Sequence, residues 1–184
     1  MGSILSNICN NFHRKTEIKC LIGGTKSSGK STILENLNFC DEIIVLSVFS
    51  FTIKNLQYQN LNINIWEVEE GFKIRTLWGP YFYGTHGLIF VVDSSDPSKI
   101  HQAREELQRL LQEEELKEAV LLVFANIQDN PNAQNSRYIA DALGLSEMRD
   151  REWRIQDSCA IYGDGLKQGL DWFCEQIKNK KYSL

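Results

Sequence analysis

The sequence predicts an α/β fold, a mostly parallel sheet of six strands with one antiparallel edge hairpin and helices on both faces. Three observations predict it. Strand-like and helix-like patterns alternate from Ile18 onward, as they do in parallel sheets packed between helices. Leu88–Val92 and Val120–Phe124 are continuous apolar runs, which suits strands covered on both faces. Only Gln59-Asn60 separates two further strand-like runs, and so short a link joins antiparallel neighbours.

In chain order, the expected strands are Ile18–Ile22, Phe51–Tyr58, Leu61–Glu67, Gly87–Asp93, Val120–Asn126 and Trp153–Ala160. A helix is expected to start at Gly29, directly after the first strand. Beyond Asp96-Pro97, the residues Ile100, Ala103, Leu107, Leu110 and Leu111 share one face at helical spacing. Asp96 is the expected cap of that helix, with Pro97 at its first position. Two more helices are expected near Asn135 and near Asp164. The chain has 184 residues, only three prolines, and neither a repeat nor a linker-like stretch. We therefore expect one domain over residues 17–184, preceded by a separate helix over residues 1–16.

Composition narrows the function classes. Apolar residues make up 42% and charged residues 24%, a globular rather than a disordered profile. A net charge of -4 argues against a general nucleic-acid binder. Cys9, Cys20, Cys40, Cys159 and Cys174 are scattered, with no C-x-x-C pair, which fits reduced cytosolic thiols rather than a disulfide framework or zinc site. No apolar stretch approaches the ~20 residues of a membrane span, and no secretory signal is expected. His13, His86 and His101 show no ligand or catalytic spacing and read as structural residues.

The strongest motif lies between the first strand and the first helix. Gly24, Gly29, Lys30 and Ser31 satisfy G-x-x-x-x-G-K-[ST]. Glycines let the backbone curl so that successive N–H groups point at phosphate oxygens. The expected phosphate-binding residues are Gly24, Thr25, Lys26, Ser27, Ser28, Gly29, Lys30, Ser31 and Thr32. Lys30 would reach the terminal phosphates and the Ser31 hydroxyl would hold Mg2+. Ligands of such sheets sit at the carboxyl ends of the strands, where Glu67, Asp93, Asn126 to Asp129 and Cys159-Ala160 also fall. The Asp129 carboxylate can accept two hydrogen bonds from the N1–H and amine of guanine, a donor pair that adenine lacks. Taken alone, Asn126 and Asp129 could equally be turn residues that end a strand.

Together these residues carry a family resemblance. Asn126, Gln128 and Asp129 match the Asn-Lys-Gln-Asp guanine motif of the Arf family of Ras-like small GTPases, and Cys159-Ala160 matches its guanine loop. Gly87–Asp93, Val120–Asn126 and Gly163–Leu166 also resemble Arf stretches, and the likeness runs from Met1 to about Lys178. The resemblance implies a Ras-like P-loop fold that binds GTP or GDP with Mg2+ and works with Arf-type effectors and exchange factors as a monomer. It also implies guanine contacts at Asn126, Gln128, Asp129, Cys159 and Ala160, and an effector surface at Phe51, Trp66 and Tyr81.

The amino terminus fits the same picture. Met1-Gly2-Ser3-Ile4-Leu5-Ser6 matches the myristoylation pattern, with Gly2 as acceptor. Ile4, Leu5, Ile8, Cys9 and Phe12 follow at helical spacing, a stripe that can lie in a bilayer interface or pack on the domain. One acyl chain anchors only marginally, so the stripe would be the second anchor. The expected location is a cytoplasmic membrane surface, at the Golgi or another endomembrane, in vesicle-mediated transport.

The chain departs from the Arf pattern where that pattern does its chemistry. Trp66-Glu67-Val68-Glu69-Glu70-Gly71 stands in place of Trp-Asp-Val-Gly-Gly-Gln. Glu67 keeps the charge of the magnesium-organising aspartate, one methylene further out. Glu70 replaces the glycine whose N–H meets the γ-phosphate, and Gly71 has no side chain to orient an attacking water. Val48 replaces a threonine that closes over magnesium, and Ile127 replaces the lysine whose stem lies against guanine. A carboxylate ~5 Å from a γ-phosphate charge costs up to about 3 kcal/mol at an effective dielectric near 20. GTP is therefore expected to bind more weakly than GDP, and hydrolysis to be very slow. Lys26 replaces an aspartate; it could reach the γ-phosphate, pair with Glu69 or Glu70 in the empty γ site, or do neither. A non-enzymatic module, holding GDP or no nucleotide, is the rival expectation.

Overall fold

The computed structural model describes residues 16–37, 52–67 and 82–182. In chain order the strands are β1 (Thr16–Gly24), β2 (Thr52–Tyr58), β3 (Leu61–Glu67), β4 (Gly87–Asp93), β5 (Val120–Asn126) and β6 (Trp153–Asp157). The helices are α1 (Lys30–Asn36), α2 (Ile100–Leu111), α3 (Ser136–Leu143) and α4 (Leu166–Tyr182). All strands join one six-stranded sheet in the order β2-β3-β1-β4-β5-β6. Only the β2–β3 pair is antiparallel, so the hairpin does lie at an edge.

Every residue of β4 and β5 is buried, as their unbroken apolar runs require. Alternate side chains serve opposite faces. Ile89 and Val91 pack with Ile33, Leu34, Leu170 and Phe173 of α1 and α4, whereas Leu88, Phe90 and Val92 pack with Ile100, Leu107, Ile139 and Leu143 of α2 and α3. The helices thus form two layers with the sheet between them.

The details differ from expectation in ways that matter locally. β1 is longer than Ile18–Ile22 at both ends, and Phe51 lies outside the described residues. A short 3-10 turn, Pro97–Lys99, precedes α2; Asp96 caps this turn by accepting the Ser98 N–H at 3.1 Å, with Pro97 in its first turn. α3 is capped by Asn135, whose side chain accepts the Tyr138 N–H at 2.9 Å. The last strand stops at Asp157 rather than Ala160. Gly165, at φ 76, follows closely, and a Cβ there would lie 2.0 Å from the Asp157 carbonyl oxygen. The chain therefore turns back over the end of β6, and Cys159-Ala160 belongs to that turn. His86 splices β1 to β4: its Nδ1 accepts the Lys19 N–H at 3.1 Å, and its own N–H donates to the Lys19 carbonyl at 2.8 Å.

Cys20, Cys159 and Cys174 are free and buried. Burial pushes the Cys174 thiol up to about 12 and raises Cys20 as well, so both stay protonated at neutral pH.

The hairpin tip is tied to α4. Asp171 accepts hydrogen bonds from the Tyr58 hydroxyl at 2.6 Å and from Gln59 at 3.0 Å, while Lys178 donates to Gln59 at 2.8 Å. The Lys167 ammonium, and then the Tyr58 hydroxyl, hold the Asp171 carboxyl below its ordinary value. A carboxylate favoured in the folded state stabilises the protein above its unfolded pKa, and that stabilisation is lost as pH falls through the lower, folded value. Asp171→Asn should therefore lower the urea midpoint slightly at neutral pH and leave it unchanged below about pH 2. An equal loss at both pH values would contradict this.

Close packing of α4 on the sheet supplies a second test. A Cβ on Gly87 would lie 2.2 Å from the Phe173 ring. Gly87→Ala should cost about 1–3 kcal/mol in urea denaturation, and Phe173→Leu in the same chain should recover part of that loss.

Candidate nucleotide site

β1 ends at Gly24 and α1 begins at Lys30, leaving residues 25–29 as the connecting loop. Gly24 (φ 141) passes so close to β4 that a Cβ would stand 2.2 Å from the Val91 carbonyl oxygen. Gly29 (φ 94) approaches β5 in the same way, where a Cβ would stand 2.3 Å from Asn126 Nδ2. Ser27 adopts a left-handed φ of 62 between them. Alternating hand along a short loop turns amides toward one concave side, an arrangement suited to anions. The Lys30 ammonium folds back over this loop and donates to the carbonyls of Gly24 (2.9 Å) and Thr25 (3.0 Å).

A cavity of about 650 Å³ opens here, lined by the stretch from Lys26 to Thr32 and by Glu67 at the end of β3. Two ammonium groups and one carboxylate face a common space, which fits a polyanion accompanied by a cation. Ser31 and Glu67 offer the hard oxygen donors that Mg2+ takes, alongside water and phosphate. Thr25 and Ser28 are different: both are buried, and their hydroxyls find no hydrogen-bond partner among the described residues. Those oxygens are closed off from the cavity, so toward a ligand these two residues have only their backbone to offer.

On the other side of the loop stands Asn126, the last residue of β5 and 1% exposed. Its Nδ2 donates to the Ser28 carbonyl at 2.9 Å. Its Oδ1 accepts from the Ala160 N–H at 2.9 Å and from the Ser158 hydroxyl at 3.2 Å. One side chain thereby joins the phosphate loop, the end of β5 and the turn after β6. Gln128 braces the same corner: its Nε2 donates to the Gln134 carbonyl at 2.8 Å and its N–H to the Ser158 carbonyl at 3.1 Å. Asp129 is exposed, and its carboxylate makes no hydrogen bond or ion pair with the described residues, which leaves it open to an external donor pair.

Sequence reasoning missed three features. Ser158 is part of the Asn126 tie, and its only signal was a small polar residue directly before Cys159-Ala160. The Ala160 amide is already engaged by Asn126, so a base oxygen would have to share it. Ile127 sits at φ 67, a left-handed conformation that β-branched residues rarely adopt.

One further expected residue is described. Trp66 is half-buried on β3, with the Lys19 ammonium 4.6 Å from its ring centroid; burial lowers the Lys19 pKa. Gly2, Val48, Phe51, Tyr81 and residues 68–71 lie outside the described residues.

Residues 3–177 match the model of the ADP-ribosylation factor (Arf) family. The chain belongs to that family. Its sheet order and phosphate loop are accordingly those of a small GTP-binding protein, and the α/β Ras-like fold agrees with the family. Family membership supports nucleotide binding with Mg2+ in general and effectors and exchange factors as a class of partner. Among the described residues no helix is long and apolar enough to cross a membrane.

The Asn126 tie can be tested directly. Asn126→Ala leaves the Ser28 carbonyl and the Ala160 N–H unpaired in the interior and should cost about 2 kcal/mol or more in chemical denaturation. A change within a few tenths of a kcal/mol would mean that the corner is held by other contacts.

Proposed function

We propose that this Arf-family chain binds guanine nucleotides between its phosphate loop and Asp129, hydrolyses GTP very slowly or not at all, and acts at a cytoplasmic membrane surface. The observation that carries the binding reading is the buried Asn126 side chain, which couples the phosphate loop to the loops at the ends of β5 and β6. A diphosphate on the Lys30 side and a purine on the Asp129 side would then occupy one continuous site, with Ser31 and Glu67 toward magnesium.

Slow hydrolysis rests on the sequence. Gly71 has no side chain to orient a water, Val48 has no hydroxyl for magnesium, and Glu70 brings a negative charge to the position where the family pattern has the glycine that meets the γ-phosphate. The same replacements favour a second reading, a non-enzymatic module that keeps GDP permanently or holds no nucleotide and engages Arf partners through Phe51, Trp66 and Tyr81. Membrane attachment rests on Gly2 and the apolar stripe of residues 1–16. A Golgi or other endomembrane setting in vesicle transport rests on family membership alone.

Base recognition is tested by exchanging partners. Asp129→Asn replaces an acceptor with an amide donor, so affinity should move from GDP toward xanthosine diphosphate, whose ring carries an oxygen in place of the amine. Unchanged preference would remove Asp129 from the site. Single-turnover assays should find no GTP hydrolysis without a partner, and Gly71→Gln alone should not restore it; a normal rate in the unmodified protein would contradict the proposal. Gly2→Ala should abolish vesicle partitioning of the acylated protein.

A further inference from the structure

Three hydroxyl groups behind the phosphate loop find no partner among the described residues, and each belongs to an enclosed side chain. They are those of Thr25 and Ser28 in the loop and of Ser94 just past β4, which are 1%, 0% and 0% exposed. A buried hydroxyl is costly unless something meets it, and in a native interior that is a protein group or an ordered water. The backbones of these residues are already committed. The Thr25 carbonyl accepts from the Lys30 ammonium at 3.0 Å and from the Ser28 N–H at 3.3 Å, and the Ser28 carbonyl accepts from Asn126 Nδ2 at 2.9 Å. Ser94 donates its N–H to the Asn126 carbonyl at 3.0 Å and accepts from the Gln134 N–H at 2.8 Å. The same bonds bring the three residues to one place. Thr25 and Ser28 close a single turn, Ser28 and Ser94 are both bonded to Asn126, and Gly24, just before Thr25, lies against Val91 of β4.

We propose that Thr25, Ser28 and Ser94 hold one internal water molecule between the phosphate loop and the carboxyl ends of β4 and β5. The chemistry of the donor set selects water. A hydroxyl both donates and accepts, so three of them suit a ligand that does the same, and about three hydrogen bonds is the usual complement of a buried water. A divalent cation needs carboxylate or carbonyl oxygens around it. The carboxylate next to Ser94, that of Asp93, is taken up by the Ser95 N–H at 2.9 Å, the Ser95 hydroxyl at 2.6 Å and the Lys99 ammonium at 3.6 Å. An anion needs a cation, and the Lys30 ammonium is turned to the carbonyls of Gly24 and Thr25. The water thus extends the Asn126 tie to the end of β4. It braces the inner side of a loop whose other side lines the cavity, and it does so whatever ligand the cavity takes.

A high-resolution crystal structure of the full-length protein tests this directly. It should show one enclosed water within hydrogen-bonding distance of all three hydroxyls. Hydroxyls that meet protein groups instead, or a metal ion in the water's place, overturn the inference. Urea denaturation gives an independent test. Thr25→Val keeps the shape of the side chain and takes one partner from the water, so it should lower the midpoint, and Ser94→Ala should do the same. A midpoint raised by Thr25→Val overturns the inference, because only an unmet hydroxyl is better removed. The double variant should lose an amount different from the sum of the two single losses, since one water answers to both side chains. Strictly additive losses overturn the shared water. Should Thr25→Val fail to fold, the structure of the unmodified protein still decides.

Discussion

Three hydrogen bonds to one buried amide hold the candidate site together. Asn126 donates to the loop after β1 and accepts from two groups of the turn after β6, while its own backbone ends the buried strand β5. A buried amide of this kind is costly unless its donors and acceptors are met, so the interaction imposes a geometry on all three segments at once. Ser28 cannot move away from Ala160 without leaving polar groups unpaired. The phosphate loop and the base-side loops therefore behave as one wall.

The backbone on either side is shaped to allow this. Gly24 and Gly29 bring the loop against Val91 and Asn126 at separations that no Cβ could share. The order β2-β3-β1-β4-β5-β6 places β1 between β3 and β4, so the loop rises at the centre of the sheet, with Glu67 on one side and Asn126 beyond β4 on the other. Function in such a fold resides in these strand ends rather than in the core. On the proposed reading, the chain keeps the phosphate loop and departs from the family pattern at Val48, Glu70 and Gly71, the positions that would sense or cut a third phosphate.

Much of this is legible in the sequence alone. The unbroken apolar runs of β4 and β5 marked strands covered on both sides, and two layers of helices cover them. The two-residue link Gln59-Asn60 fixed the one antiparallel pair. The phosphate loop was legible because its glycines answer a local backbone demand. What escaped notice depends on contacts distant in sequence. Asn126 read as a base contact, and its role as a tie needs Ser28, 98 positions away, to be brought beside it. The end of β6 was misplaced because Ser158-Cys159-Ala160 is as apolar and buried as a strand, although Gly165 forces the chain to turn. The left-handed Ile127 has no signature in sequence, since its side chain argues against that conformation.

The account stands or falls on whether this wall holds a guanine nucleotide. Native mass spectrometry of the full-length protein, purified gently in magnesium, measures that directly. It should show one guanosine nucleotide per chain, with the diphosphate predominating. A chain that is empty as isolated, and remains empty when offered micromolar guanosine diphosphate, would contradict the account at its root.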